Sequence, residues 1–251
     1  MLIALYITIG YFMLFFIVAT VIKNNSIVDI GWGLGFVLTS WILFLLNQTY
    51  TVTQILVNVM ISLWGLRLFY HILKRNIFEE EDFRYKAWRK AWGKYVVSRA
   101  FLQVFLLQGI LQFIIGSTSF YINTNETSFQ IVSIIGIVIW GIGYYFQVVG
   151  DAQLKKHIQT KRGTLLTDGL WSKTRHPNYF GEALMWWGIF VFSLFNQTPI
   201  YYIVSPITIT IVLYFISTPL LEKKMALMKG WEDYAKKTPM FFPFQMKHES
   251  K

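Results

Sequence analysis

Cysteine is absent from the 251 residues, so disulfides, thiolate nucleophiles and Cys-ligated zinc or iron–sulfur centres are all excluded. Charge is scarce as well. Asp, Glu, Lys and Arg make up 14% of the chain, against roughly 25% in soluble domains, while 55% is hydrophobic and 18% aromatic. A chain this apolar is expected to lie in a bilayer. Acidic groups are the rarest charges, 13 against 23 Lys and Arg, which leaves a net charge of +10. Such an excess can point to nucleic acid, but here the cations sit in loops between apolar runs. The positive-inside rule accounts for that placement, so no nucleic-acid partner is expected and membrane lipids are. Internal repeats, low-complexity segments and linkers that would set off a soluble domain are also missing.

Seven apolar runs are long enough to span, given that about 20 apolar residues cross the hydrocarbon core. They cover 2–22, 30–47, 52–73, 100–116, 128–149, 179–195 and 199–218. The first lacks a basic leader and a cleavage site, so it reads as a retained helix. The loop between runs three and four carries Lys74, Arg75, Arg84, Lys86, Arg89, Lys90, Lys94 and Arg99, and that between five and six carries Lys155, Lys156, Lys161, Arg162, Lys173 and Arg175. The alternate loops NQTY, STSFYINTNETS and NQTP have no Lys or Arg. The expectation is an all-α polytopic integral membrane protein of about seven helices, one membrane domain over 1–251, with its N-terminus outside and its C-terminus cytosolic. Within the first basic loop, FRYKAWRKAWGKYVV mixes rings and cations, as an aromatic helix at the headgroup level would; a lid over a site is the other reading.

Polar groups are costly in such helices, about 2.5–3.5 kcal/mol for a charge at mid-bilayer, so the few present are candidates for chemistry. They are Asp29, Arg67, Gln147, Asp151, Asn178 and Glu182, and most lie toward the cytosolic ends of their runs. Gln147, Asp151 and Lys155 recur at i, i+4 and i+8, and Asn178 and Glu182 at i and i+4, so each set lines one helical stripe. Two such stripes across a basic loop suit an anionic ligand rich in hydrogen-bonding groups, as nucleotide cofactors are. Arg175 and His176 precede Pro177, which is well placed in the first turn of a helix, where cations and amide groups could meet a phosphate. A purely structural account is also open: Pro177 starts a helix, Arg175 anchors the interface and Glu182 pairs with Lys173 or Lys224.

GDAQL, GLWSKTRHPNYFGEALMWWG, LEKKMALMKGWEDYAKKTPMFFPF and the N-terminal SIVDIGWGLGF and WGLRLFYHILKRN together cover nearly the whole chain. In these pieces the sequence resembles the bacterial membrane proteins of the steroid 5-alpha-reductase-like family (domain of unknown function 1295). RHPNYFGE and the later Glu with GWEDY are similar more widely to isoprenylcysteine carboxyl methyltransferases, phospholipid methyltransferases and sterol reductases. The resemblance implies a bacterial cytoplasmic-membrane enzyme that reduces an activated C=C bond of a lipophilic, steroid-like or polyprenoid substrate with NADPH. Its alternative is a methyltransferase using S-adenosylmethionine on a lipid or prenylated substrate. Residues 128–251 would then be the nucleotide half, with Gln147, Asp151, Lys155, Arg175, His176, Asn178, Tyr179, Glu182 and Glu222 about the cofactor. Residues 1–116 would shape the substrate pocket, with Asp29 as catalytic acid and Trp32 and Trp64 as walls. For Asp29, an N-cap carboxylate of the second helix is an equal reading. The sequence departs from the reductases at Ile158, where they carry arginine, and in STPLLEKKM, which replaces an Arg-x-x-x-His-x-x-x-Tyr helix. No metal is implied.

Charge placement predicts that a reporter fused after Lys251 is cytosolic and that one inserted in STSFYINTNETS is external. A cytosolic signal from the second fusion refutes the seven-span arrangement.

Overall fold

A computed structural model describes residues 1–76 and 80–243. The side chain of Arg75, the final Phe244 of the closing motif and the C-terminus whose side was read from charge lie outside the described residues. The described residues are helical and contain no strand. Eleven α-helices follow in order: α1 Leu2–Ile22, α2 Ile27–Asn47, α3 Val52–Asn76, α4 Phe83–Trp92, α5 Val96–Ala100, α6 Leu107–Thr124, α7 Ile134–Thr160, α8 Pro177–Phe195, α9 Val204–Ile211, α10 Thr218–Met225 and α11 Trp231–Lys237. Two π-helical turns, Phe101–Leu106 and Val212–Ser217, join α5 to α6 and α9 to α10.

Among the described residues, six helical stretches are long and apolar enough to cross a membrane: Leu2–Ile22, Ile27–Asn47, Val52–Lys74, Phe83–Thr124, Ile131–Thr160 and Ile200–Met225. The chain is an integral membrane protein, as expected. The sixth apolar run, 179–195, forms the 19-residue α8, but Asn178 and Glu182 in its first turns dilute its apolar character, and it is not among the six.

The helix expected in FRYKAWRKAWGKYVV is present, and one segment read as a loop, 117–124, is helix as well. Residues 83–99 are helical almost throughout, and α4 is capped by Asp82, whose carboxylate accepts from the Arg84 amide at 2.9 Å. The segment 117–124 continues α6 because its polar side chains find partners inside the fold. Asn58 Nδ2 donates to Asn123 Oδ1 at 2.8 Å and Asn123 Nδ2 donates to Asn58 Oδ1 at 3.2 Å, while Thr118 Oγ1 donates to the Tyr202 carbonyl at 3.2 Å. A buried polar group is tolerated once bonded, so hydrophilicity here signals pairing rather than exposure.

The chain divides into two compact units, Met1–Ile131 with Ser193–Ser205, and Val132–Phe192 with Pro206–Lys251. Each is knit by backbones in close approach. In the first unit, a Cβ on Gly33 of α2 would stand 2.5 Å from the Gly65 carbonyl oxygen of α3. In the second, a Cβ on Gly143 of α7 would stand 2.6 Å from the Gly181 carbonyl oxygen of α8, and one on Gly181 2.5 Å from that of Gly143. Lipid offers apolar side chains as good an environment as a neighbouring helix does, so close backbone contact is what favours association.

Gly143→Val and Gly181→Val are expected to lower stability by about 1–3 kcal/mol or more through overpacking. Gly141→Val, on the same helix but with nothing within 4 Å of the added carbon, should melt like wild type. Thermal unfolding in detergent checks the contrast.

Candidate functional site

The close approach of α7 and α8 brings the two polar stripes together. Gln147 Nε2 donates to Glu182 Oε2 at 3.0 Å, and one turn further along Asn178 Nδ2 donates to Asp151 Oδ1 at 3.0 Å. Gln147 and Glu182 are buried and Asp151 and Asn178 half-buried, so polarity grades from interior to surface along the helix pair. Pro177 is the first residue of α8, and the Asn178 side chain turns back to accept from the Tyr179 amide at 3.0 Å. Lys155 continues the α7 stripe but is exposed and forms no ion pair among the described residues.

Just before α8 the chain is clasped by its own tail. Arg175 Nε and Nη2 donate to Glu222 Oε1 and Oε2 of α10 at 2.6 and 3.0 Å, a bidentate pair. Its Nη1 donates to the carbonyls of Ala235 and Thr238 at 3.0 and 2.6 Å, and the guanidinium lies 5.3 Å from the Trp231 ring centroid. The backbone joins in: the Arg175 amide donates to the Pro239 carbonyl, and Thr174 Oγ1 donates to the Phe241 carbonyl at 2.8 Å. Tyr234 of α11 donates its hydroxyl to the Trp171 carbonyl at 2.7 Å, and burial holds that phenol well above its usual range. RHPNYFGE and GWEDY are thus two sides of one clasp. Of the five guanidinium hydrogens of Arg175, one on Nη2 remains for any further partner.

His176 sits 3.3 Å by Nε2 from Glu222 Oε1, is 1% exposed, and stacks on Tyr179 with ring centroids 5.8 Å apart. Beside it opens a cavity of about 280 Å³. Leu154, Ile158, Leu221, Met225 and Met228 supply its apolar wall, Trp171, His176 and Asn178 one polar edge, and Lys161 and Lys224 its cations, with the His157 ring beside them. No site role was legible in the sequence for Lys161, Lys224 and Trp171, because nothing in their local pattern separates them from the other cations and rings around them. The cavity thus sets an apolar wall against cations, a combination able to take a ligand with both an apolar and an anionic part.

A second polar cluster lies in the first unit. Asp29 stands in the first turn of α2, two residues inside its start, and Ser26 occupies the cap position, so the N-cap reading of Asp29 does not hold. Its carboxylate accepts from the Tyr85 hydroxyl at 2.8 Å, Arg84 Nη2 at 3.1 Å and Gln108 Nε2 at 3.4 Å. Trp32 and Trp64 are linked through Phe36, with centroids 5.3 Å apart on each side. Tyr85 and Arg84 carried no sequence signal, being 56 and 55 residues from Asp29. Gln108 did carry one: with Gln112 it repeats at i and i+4 inside an apolar run. Gln112 is fully buried, and neither polar atom of its amide has a hydrogen-bond partner among the described residues. Among the described residues no group of three or more His, Asp or Glu could hold a metal.

The chain is similar to the Delta(14)-sterol reductase of Saccharomyces cerevisiae, with 36% identity over 94 residues, 36% of this chain and 20% of that protein. It is also similar to the Delta(14)-sterol reductase of Schizosaccharomyces pombe, with 60% identity over 40 residues, 15% of this chain and 9% of that protein. The chain therefore spans at most about a fifth of the length of these curated relatives. No solved structure matches it. The family described as "Protein of unknown function (DUF1295)" matches residues 15–238, and this chain belongs to it.

Proposed function

We propose that the protein is a membrane-embedded, NADPH-dependent reductase of an activated C=C bond in a lipophilic substrate, steroid-like or polyprenoid, in a bacterial cytoplasmic membrane with the C-terminus cytosolic. The observation that carries the reading is the cavity beside His176 and Asn178, where apolar wall and cations meet the polar edge of α7 and α8. The named reductases among the relatives support the reaction class, and the S-adenosylmethionine alternative gains no such support.

In this reading the second unit binds the nucleotide. Gln147, Asp151, Asn178 and Glu182 offer donors and acceptors for its amide and ribose groups; Lys161, Lys224 and the remaining Arg175 hydrogen serve its phosphates, with Lys155 at the rim. His176 and Tyr179 form a stacked pair at the cavity edge, and Glu222 fixes Arg175 and His176. The bound nicotinamide would supply hydride to the β carbon, and a proton completes the saturated product, with the oxidised nucleotide released. Asp29 is the proposed acid, with Tyr85 and Gln108 fixing its carboxyl and Trp32 and Trp64 lining the apolar substrate pocket.

Calorimetric titration in detergent should show NADPH binding to wild type, weakened by about 1–3 kcal/mol in Asn178→Ala and in Glu182→Ala. Binding of S-adenosylmethionine with no binding of NADPH overturns the assignment. Arg175→Lys keeps the charge but loses the bidentate pair, so NADPH affinity and melting temperature should fall together. Glu222→Ala, which strands a buried guanidinium, should cost about 3–5 kcal/mol of stability. Asp29→Asn should retain NADPH affinity and lose turnover of a steroid enone, read by NADPH absorbance; full turnover in this variant removes Asp29 from the chemistry.

A further inference from the structure

Helix α4 and the turn after it carry more cation than the protein neutralises. Arg84 is held by Asp29 and Asp82, and Lys86 by Glu80. Arg89 makes two bonds to Glu81, at 2.9 and 2.8 Å. Burial alone would raise the Glu81 carboxyl, but Arg89 and the Asn25 amide hold it below its ordinary range, so Arg89 is spent inside the fold. Lys90, Lys94 and Arg99, by contrast, are exposed and form no ion pair among the described residues.

The rings divide in the same way. Tyr85 and Trp92 are buried, in one apolar cluster with Val104 and Phe105, and pin the helix to the rest of the first unit. Phe83, Trp88 and Tyr95 are exposed, Trp88 stacking on Trp92 and Lys94 Nζ standing 5.1 Å from the Tyr95 ring centroid. Gly93, at φ 51°, turns the chain at the end of α4, near the start of the spanning stretch Phe83–Thr124. Unneutralised cations among exposed Trp and Tyr rings, at the end of a spanning helix, match the anionic headgroup and ester layer of a lipid leaflet.

We propose that Lys90, Lys94 and Arg99 form a docking surface for anionic phospholipid headgroups, and that docking steadies α4 with Tyr85 on Asp29. A soluble polyanion would satisfy the same cations but would leave Phe83, Trp88 and Tyr95 in water, so the rings select the lipid.

Native mass spectrometry of detergent-purified protein titrated with phosphatidylglycerol or phosphatidylcholine of the same acyl chains tests this. Each cation near an anionic headgroup should contribute about five-fold in affinity. Wild type should therefore retain phosphatidylglycerol more than tenfold better than phosphatidylcholine. Lys90→Gln/Lys94→Gln/Arg99→Gln should erase the preference, and Lys90→Arg/Lys94→Arg should keep it. Amide hydrogen exchange over 83–95 should slow with phosphatidylglycerol in wild type and not in the triple Gln variant. Equal retention of the two lipids, an undiminished preference in the triple Gln variant, or tighter binding of a heparin oligosaccharide than of phosphatidylglycerol overturns the docking surface. Exchange that does not respond to phosphatidylglycerol overturns the steadying of α4.

Discussion

The buried guanidinium of Arg175 is the constraint on which the second unit depends. An unpaired charge there would be prohibitive, so the fold must bring a carboxylate to it, and Glu222 arrives from 47 residues away. The remaining donors then recruit the Ala235 and Thr238 carbonyls, which fixes the tail from α11 onward. Once that tail is in place, Thr174 and the Arg175 amide bind its backbone, and the Glu222 carboxylate also meets His176 at the cavity edge. One ion pair thereby sets the entry to α8 and the wall of the cavity.

The same logic of compensation runs through the helices. Neighbouring helices in lipid gain little from apolar contact alone, and so the protein relies on two devices: glycine pairs that let backbones touch, and polar side chains that bond across helices. In the second unit both occur on one helix pair, since Gly143 meets Gly181 within a turn of Gln147 and Glu182. The close contact there is also what puts the amide of Gln147 within reach of a carboxylate. In the first unit, Asn58 and Asn123 bond to each other where Gly33 and Gly65 bring α2 to α3 elsewhere.

Asp29 shows how a short polar helix can serve a buried group. Helix α4 closes over it with Tyr85 and Arg84 while Trp92 fills the apolar cluster beneath, so orientation of the carboxylate and docking of the helix are one event. The outward face of α4 is left with cations and rings, the composition of a surface at the headgroup level.

Length, hydropathy and charge placement, being local properties, made the apolar runs, the membrane class, the helix in FRYKAWRKAW and the start of α8 at Pro177 legible in the sequence. The i, i+4 stripes of α7 and α8 were legible for the same reason, since helical periodicity puts them on one face before any partner is known. Pairing was not. That 117–124 is buried helix depended on Asn58 and Tyr202, and the partners that hold the Asp29 carboxylate, Tyr85 and Arg84, come from a distant helix. Lys161 and Lys224 came to one cavity, and Arg175 turned inward to Glu222, only because distant segments of one unit fold together. The sequence by itself determined where the apolar runs lie and which helical faces are polar. Which polar group satisfies which other one was decided by tertiary structure, because in an apolar medium a polar side chain's conformation follows its partner rather than its neighbours in the chain.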